Sequence, residues 1–249
     1  MTARRVLAGF HAVGARLRHA PDSIEAIYVD ARRRDSRMMQ LQQRAAEAGV
    51  RVVAADAARL RGLAGEVQHQ GLVALAADIE QAITLDDTLR DVGPGTFLLL
   101  LDGVTDPRNL GACLRVADAA GVQAVVVPRD RSAGLTPAAL KAAAGAVETV
   151  PLLPVTNLAR AMDEMRDAGV RLVGAAGEAP QSLFDVDLTG ALAWALGAEG
   201  TGLRRLTRER CDALACIPIL GRVESLNVSV AAGICLYESV RQRRAAGAG

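Results

Sequence analysis

Nearly continuous apolar segments recur between residues 96 and 249, and amphipathic helical patterns lie between them. The predicted strands read FLLLLD, QAVVVP, RLVGAA, ALAWALG and ALACIPI in chain order, and helices are predicted over 137–146 and 157–168. A strand with one wet face alternates polar and apolar residues, whereas a strand buried on both faces is apolar throughout. The pattern therefore predicts an α/β domain whose parallel sheet is covered by helices on both faces.

The front of the chain shows a shorter alternation of the same kind. Strands are predicted at AIYV (26–29), VRVVAA (50–55) and GLVALAA (71–77), and a helix over SRMMQLQQRAAEAG that Gly49 ends. The stretch DIEQAITLDDTLRDVGPG is acidic and finishes on chain-breaking residues, which is typical of a linker. We predict a small α/β domain at 1–78, a linker at 79–95 and the larger α/β domain at 96–249.

The composition argues against several classes of protein. A net charge of +1 gives no overall attraction to nucleic acid, although Arg32–Arg34 and Arg241–Arg244 form clusters that are either solvated surface or nucleic-acid contacts. The 4 cysteines form no C-x-x-C pair and only 3 histidines occur, so no metal site is expected. No signal peptide and no apolar run of about 18 residues is present. We expect a soluble, cytoplasmic protein that does not enter a membrane.

Polar segments follow three of the predicted strands of the larger domain. They read LDGVTDPRNLGACLRVADAAG (101–121), ALGAEGTGL (195–203) and IPILGRVESLNVSVAAG (217–233). In open parallel sheets, ligands bind beyond the carboxyl ends of the strands. These three segments are therefore the candidates for a binding site.

The second segment carries three glycines, at Gly197, Gly200 and Gly202. They either let the backbone approach a ligand closely or form an ordinary glycine turn. No G-x-G-x-x-G fingerprint opens a helix after the first strand, and no Walker lysine motif occurs. The sequence therefore disfavours a dehydrogenase or an NTPase.

The first and third segments each lead into a predicted helix. In the third, Ser225 or Asn227 is placed to cap the helix, and we expect an apolar stripe to bury it beside the glycine segment. That stripe consists of Leu226, Val230 and Ile234. In the first, we expect Asn109 to cap the helix and Gly111 to leave room for Arg115 to reach a ligand. The residues expected to face the core there are Leu110 and Leu114.

Taken together, NLGACLR, GAEGTG and IPILG…ESLNVS resemble the three signature segments of the SpoU (TrmH-like) class of SPOUT RNA methyltransferases. One such motif is weak evidence, but three in order are strong. The segments GFHAV (9–13) and HQG (69–71) are similar to the N-terminal RNA-binding domain of this class, which is itself like ribosomal protein L30e. The resemblance thus extends over both predicted domains.

The resemblance implies a C-terminal α/β-knot domain with a deep trefoil knot, behind a small L30e-like α/β domain. It also implies a homodimer that binds S-adenosylmethionine without a metal. The residues that match the cofactor site are Gly197, Ile217 and Leu226. The residues that match the polar active-site positions are Asn109, Arg115, Glu199, Ser225 and Asn227. Ile219 stands where Met is expected, which conserves volume and puts little in doubt.

The implied activity is methylation of the ribose 2′-hydroxyl of a guanosine in 23S rRNA. Arg115 serves the reacting hydroxyl, either as a base, despite the pKa of free arginine above about 12, or by orienting the hydroxyl and a phosphate. Ser225 and Asn227 hold the RNA or order their loop, and Glu199 positions neighbouring groups. The alternatives are 2′-O-methylation of tRNA or of another rRNA position, and a non-catalytic RNA-binding protein of ribosome assembly.

Overall fold

The computed structural model describes residues 4–65, 67–77 and 83–247. Contacts divide the chain into two units: Met1–Gln81 with Ala144–Thr149, and Ala82–Ala143 with Val150–Gly249. The predicted domain end at residue 78 and the first part of the predicted linker, 79–82, lie outside the described residues. The rest of that linker contains a short helix, Leu85–Leu89, which Thr84 and Asp87 open with a reciprocal capping box.

The first unit is a four-stranded sheet with helices on both faces. The strands are β1 (Arg4–Ala8), β2 (Ile24–Asp30), β3 (Val52–Ala55) and β4 (Leu72–Ala77), in the order β1-β4-β2-β3. The helices are α1 (Gly9–His19), α2 (Ser36–Glu47) and α3 (Ala57–Ala64). One-turn 3₁₀ helices at Pro21–Ser23 and Ala146–Glu148 complete the unit. The sheet is mixed, because β4 runs antiparallel to β1 and β2 while β2 and β3 are parallel.

Two separate cores hold these layers together. Helices α1 and α2 pack on one face of the sheet, for example through Val13 and Met38, and α3 packs on the other through Leu60. The three strands and the helix predicted for this part of the chain are confirmed. Strand β1 and helices α1 and α3 were not predicted. The sequence of β1 begins with two arginines and α1 carries Gly9 and Gly14, so neither shows a clean period.

The second unit contains a six-stranded sheet in the order β10-β8-β9-β5-β6-β7, and every pairing is parallel. Its strands are β5 (Phe97–Asp102), β6 (Ala124–Pro128), β7 (Leu152–Val155), β8 (Arg171–Ala175), β9 (Leu192–Gly197) and β10 (Ala213–Ala215). Its helices are α4 (Leu85–Leu89), α5 (Pro107–Ala119), α6 (Pro137–Ala143), α7 (Leu158–Asp167), α8 (Arg205–Glu209) and α9 (Val228–Ala245). A 3₁₀ turn occupies Leu183–Asp185. The predicted parallel sheet is confirmed.

Some of the predicted bounds in this unit are wrong. The strand ALACIPI is reduced to Ala213–Ala215, and the short strand β7 was not predicted because Pro154 interrupts its pattern. The helix predicted over 137–146 ends at Ala143, since Ala144 (φ +51°) and Gly145 (φ +95°) adopt left-handed backbone angles. Those angles turn the chain out of the helix, and residues 144–149 then belong to the first unit.

The side chains of the central strands alternate between two packed layers. Leu98 and Leu100 point to the layer of α7, where Met162 and Met165 are fully buried. On α9, the fully buried Ser239 accepts a hydrogen bond of 2.8 Å from the Trp194 indole. Both faces of β9 are therefore excluded from solvent, as expected for a strand that is apolar throughout.

The C-terminal arginine cluster is partly structural. Arg243 is 7% exposed, and its guanidinium donates to the carbonyls of Thr96 (2.8 Å) and Gly190 (2.5 Å). It also lies 4.3 Å from the centre of the Phe97 ring, and burial lowers the pKa of its guanidinium. Arg241 pairs with Glu238 at 2.7 Å. Arg241–Arg244 is therefore not a uniform free basic surface.

Candidate functional site

A cavity of about 420 Å³ opens where β8 and β9 end. Its walls are the segments that follow these strands, the loop after β10 and the start of α9. The lining residues are 175–178, 196–203, Arg208, Ile217, Ile219, 224–226, Val228 and Ala231. Small-molecule sites in proteins usually measure about 300–1,000 Å³. The cavity has the size of a ligand site and lies at the sheet edge where the sequence predicted one.

The glycine segment folds back on itself at the mouth of β9. The Gly202 amide donates to the Ala198 carbonyl at 2.9 Å, and Gly200 and Gly202 have φ angles of +80° and +66°. A Cβ on Gly197 would lie 1.9 Å from the carbonyl carbon of Gly202. The glycines therefore form a turn that excludes a side chain at Gly197, and the backbone of the same turn also lines the cavity. Both interpretations offered for these glycines apply.

A buried carboxylate fixes the far end of this turn. Asp102 ends β5 and is 1% exposed, and the strand register sets it beside Gly197. It accepts hydrogen bonds from the Arg204 amide (3.0 Å) and from Arg204 Nε (2.5 Å). Asp102 was not among the predicted site residues, although an acid that ends an otherwise apolar strand was the available signal. The carboxylate holds the glycine turn against β5.

Three of the predicted polar residues meet beside the cavity. Asn109 Nδ2 lies 3.4 Å from Glu199 Oε2, and Asn227 Nδ2 donates to Asn109 Oδ1 at 3.0 Å. Asn227 Oδ1 also accepts from the Ser229 amide at 2.9 Å, which caps α9. Side chains from three distant segments thus form one chain of hydrogen bonds from the glycine turn to the last helix.

One of the two capping predictions is wrong, and the structure decides between the two residues offered in the other. Asn109 does not cap α5, because Asp106 does so by accepting from the Arg108 amide at 2.7 Å. Asn109 lies inside the first turn, where its side chain is free to point at Glu199. Of the two residues offered for α9, Asn227 is the cap, and the exposed Ser225 lines the cavity instead.

Arg115 lies apart from the cavity of its own chain. It follows Asn109 by six positions, which turns it about 240° around α5. Its side chain is exposed, and within the described residues it makes no hydrogen bond or ion pair. The role predicted for Gly111 is wrong, because a Cβ there would lie 2.3 Å from the Ala139 carbonyl oxygen. Gly111 lets α6 pack against α5, and the predicted core positions Leu110 and Leu114 are fully buried.

The stripe predicted to bury α9 is also wrong. Val230 is 51% exposed and Tyr237 is 50% exposed, while Ile234 is half-buried. The buried face consists instead of Val228, Ala232, Cys235, Leu236 and Ser239. Helix α9 therefore carries apolar residues on both sides, and only one side is covered within its own chain.

The charges and apolar groups of the cavity limit what it can hold. Glu178, Glu199 and Glu224 line it, and the single lining arginine, Arg208, pairs with Glu178. The remaining carboxylates favour a cationic ligand. The predicted cofactor residues Gly197, Ile217 and Leu226 all line the cavity, as does Ile219.

Other catalytic chemistries have little support in the described part of the chain. Burial raises the pKa of the Cys113 and Cys235 thiols to about 12, so neither is a thiolate nucleophile at neutral pH. Within residues 4–65, 67–77 and 83–247, no three His, Cys, Asp or Glu side chains are grouped to hold a metal ion. No helix in those ranges is long and apolar enough to cross a bilayer.

Comparison with known proteins gives matches over both units. Residues 96–237 match the model of the SpoU rRNA methylase family, and residues 6–82 match a model described as RNA 2′-O ribose methyltransferase substrate binding. The 23S rRNA (guanosine-2′-O-)-methyltransferase RlmB of Bordetella pertussis is 57% identical over 98% of this chain and 100% of its own length.

Solved structures also match nearly the whole chain. The crystal structure of an RNA 2′-O ribose methyltransferase has a TM-score of 0.78 and 28% identity, covering 97% of this chain and 89% of that one. The SpoU methyltransferase AviRb from Streptomyces viridochromogenes, in complex with AdoMet, has a TM-score of 0.74 and 25% identity. That match covers 97% of this chain and 91% of AviRb.

Proposed function

Because this chain belongs to the SpoU rRNA methylase family, we propose that it transfers a methyl group from S-adenosylmethionine to the ribose 2′-hydroxyl of a guanosine in 23S rRNA. The observation that carries this proposal is the match to RlmB, which is 57% identical and includes both units. The enzyme is an RNA ribose 2′-O-methyltransferase, and its substrate supports a cytoplasmic location.

The cavity fits S-adenosylmethionine in size, backbone and charge. The folded-back glycine turn presents main-chain groups, Ile217 and Leu226 supply apolar surface, and Glu199 and Glu224 suit a cation. When bound, S-adenosylmethionine supplies an electrophilic methyl group on a sulfonium. We assign Gly197, Ile217 and Leu226 to holding it, and no metal is needed for the transfer.

The polar cluster has a positioning role in this proposal. The bonds that link Glu199 to Asn109 and Asn109 to Asn227 fix the glycine turn relative to α5 and α9. Ser225 is exposed at the cavity mouth, where its hydroxyl can contact RNA. Much of the rate enhancement then comes from alignment of the reacting atoms. Arg115 serves the ribose hydroxyl, either as a neutral guanidine that accepts its proton or as a guanidinium that orients it together with a phosphate.

We further propose that the protein works as a homodimer. Val230, Ile234 and Tyr237 form a half-exposed apolar stripe on α9, and the Tyr237 hydroxyl donates to the Ala119 carbonyl at the end of α5 at 3.3 Å. An uncovered apolar stripe of this kind is typical of an interface. Arg115 also lies on α5 without lining its own cavity. A second copy that covers the stripe brings Arg115 to a neighbouring cavity.

The fold proposed for the second unit is the α/β-knot with a deep trefoil knot, and that for the first is L30e-like. The support for both is family membership, with the two family models matched separately. In the second unit, the loop after β10 and the loop after β9 line one cavity, as a threaded C-terminal segment requires.

Mass-spectrometric mapping of ribose methylation tests the function directly. In 23S rRNA from cells with and without the protein, one guanosine should lose its 2′-O-methyl group when the protein is absent. Loss of a methyl group from tRNA or from another rRNA position would instead support the other substrates. Unchanged methylation of all RNA would support the non-catalytic assembly protein.

A further inference from the structure

A concave basic surface lies on the first unit, between α1 and α2, whereas the residues assigned to catalysis all belong to the second unit. It encloses about 210 Å³ and is lined on α1 by Phe10, His11 and Arg18 and on α2 by Arg37 and Arg44. We call these five residues the arginine cleft. His11 and Arg18 are seven positions apart, as are Arg37 and Arg44, so each pair spans two helical turns, or about 10 Å.

The arginines of the cleft have no acidic partners within the part of the chain that the structure describes. Arg18, Arg37 and Arg44 are exposed, and none forms an ion pair with another described residue. Arg37 Nη2 instead lies 3.3 Å from His11 Nε2. On the second unit, by contrast, four helical arginines each pair with an acid on the same helix. Those pairs are Arg160–Glu164, Arg166–Asp163, Arg205–Glu209 and Arg241–Glu238. Like charges gathered in a concavity repel unless an anion occupies it.

The volume of the cleft and the coverage of its aromatic ring indicate which chemical group fits it. A volume of about 210 Å³ is below the range of about 300–1,000 Å³ for sites that enclose a small molecule. Phe10 is 6% exposed, and the guanidinium groups of Arg33 and Arg37 lie 4.6 and 4.5 Å from its ring centre. A nucleobase cannot stack on a ring that is already covered. The cleft therefore suits a phosphate group and not a base.

We propose that the arginine cleft binds the phosphodiester backbone of the RNA substrate. This inference rests on the proposed function, and the match of residues 6–82 to a substrate-binding model supports RNA over an acidic protein as the occupant. Cation–π contact with Phe10 holds the Arg37 guanidinium in place at the cleft. Contacts of this kind position an RNA without reading its sequence.

Binding of 23S rRNA transcribed in vitro, measured with the full-length protein at roughly 50 to 200 mM salt, tests the proposal. The variant Arg37→Ala/Arg44→Ala should bind at least about tenfold more weakly at low salt, because the loss of even one hydrogen bond to a charged group costs that much. The slope of log affinity against log salt should fall by about 1 to 2, which corresponds to one or two lost phosphate contacts. Binding of S-adenosylmethionine should not change, because its site lies on the other unit.

The matched control is Arg59→Ala/Arg61→Ala on α3, which packs on the opposite face of the same sheet and removes the same charge. It should change affinity and slope much less. Equal effects of the two double variants, or wild-type binding by the cleft variant, would overturn the proposal. If circular dichroism shows that the cleft variant is unfolded, Arg18→Ala on α1 provides the same comparison against Arg61→Ala.

The failure of this proposal can be distinguished from that of the proposed function. A wild-type protein that binds 23S rRNA without methylating it would refute the function, and the binding data would still decide on the cleft. Cleft variants that bind as the wild type does, while the wild type methylates, would refute the cleft alone. A loss of affinity confined to ribosomal subunits, with naked 23S rRNA bound normally, would assign the cleft to a protein and also refute the proposal.

Discussion

A buried ion pair joins residues 132 positions apart in the first unit. Arg16 and Glu148 have side chains that are 2% and 1% exposed, and Arg16 Nε donates to Glu148 Oε2 at 2.5 Å. Arg16 also donates to Ser23 Oγ (3.2 Å) and to the Ala77 carbonyl (3.0 Å), and Arg5 lies 3.3 Å from the other Glu148 oxygen. The chain leaves the second unit to supply Glu148, so residues 144–149 complete the first.

Replacing Glu148 with alanine should leave Arg16 charged, buried and without its carboxylate. Breaking a buried pair in this way costs about 3–5 kcal/mol, which is about a fifth or more of the stability of a typical domain. The double variant Arg16→Met/Glu148→Leu should recover most of the loss, because apolar side chains of similar size carry no desolvation penalty. The matched control is Glu25→Ala in the exposed pair with Arg4, whose side chains are 52% and 69% exposed. It should cost at most about 1 kcal/mol.

Hydrogen exchange followed by mass spectrometry measures these losses segment by segment. In Glu148→Ala, peptides from β1 and β4 should exchange at a lower opening free energy, whereas those from β5 and β9 should not change. The fluorescence of Trp194, the only tryptophan, reports the second unit independently. If Glu148→Ala lost no more protection than Glu25→Ala, the claim that this pair stabilises the first unit would be wrong.

The remaining predictions concern the second unit. Arg115→Ala should lower single-turnover methylation of 23S rRNA by about two to four orders of magnitude and leave the affinity for S-adenosylmethionine unchanged. Arg115→Lys should restore little activity, because lysine lacks the planar guanidinium. Near-wild-type turnover by Arg115→Ala would contradict the assigned role. S-adenosylmethionine at a hundredfold excess over Kd should stabilise the wild type by about 2.7 kcal/mol in thermal unfolding. Gly197→Ala should lose that response, because its Cβ would lie 1.9 Å from a backbone carbon, whereas Gly134→Ala, with nothing within 4 Å, should keep it. Val230→Glu should give a monomer by light scattering and lose activity. The control Leu135→Glu, at a position that is 41% exposed, should leave the dimer intact. If the Val230→Glu variant were still dimeric, the α9 stripe would not be the interface.

The sequence was most informative where one local pattern had one structural meaning. FLLLLD became β5 at its predicted bounds, because a strand buried on both faces must be apolar throughout. The position of the candidate site followed from the predicted strands, because parallel strands end at one edge of the sheet. Polar residues at that edge have few structural roles, so they indicate a binding site. Asn109, Glu199 and Asn227 do meet at that edge, and the cofactor residues Gly197 and Ile217 line one cavity.

Helix ends and helix faces needed the tertiary structure. Asp106 and Asn109 are both good capping residues, and only the path of the chain after β5 selects Asp106. On α9, apolar residues recur on two sides, so the period could not tell the covered face of Ala232 and Leu236 from the open face of Val230. A helical period reports that a face is apolar and does not identify what covers it.

Long-range pairing lay outside the reach of the sequence for the same reason. Nothing near Arg16 in the chain points to Glu148, and nothing in the C-terminal arginine cluster separates the buried Arg243 from the exposed Arg244. The local pattern determined the elements and the edge of the sheet where the site lies, because periodicity and turn chemistry act between neighbours in the chain. The tertiary structure decided which charges are buried and paired and which remain free for a ligand, because the free energy of a charge depends on the groups that fold around it.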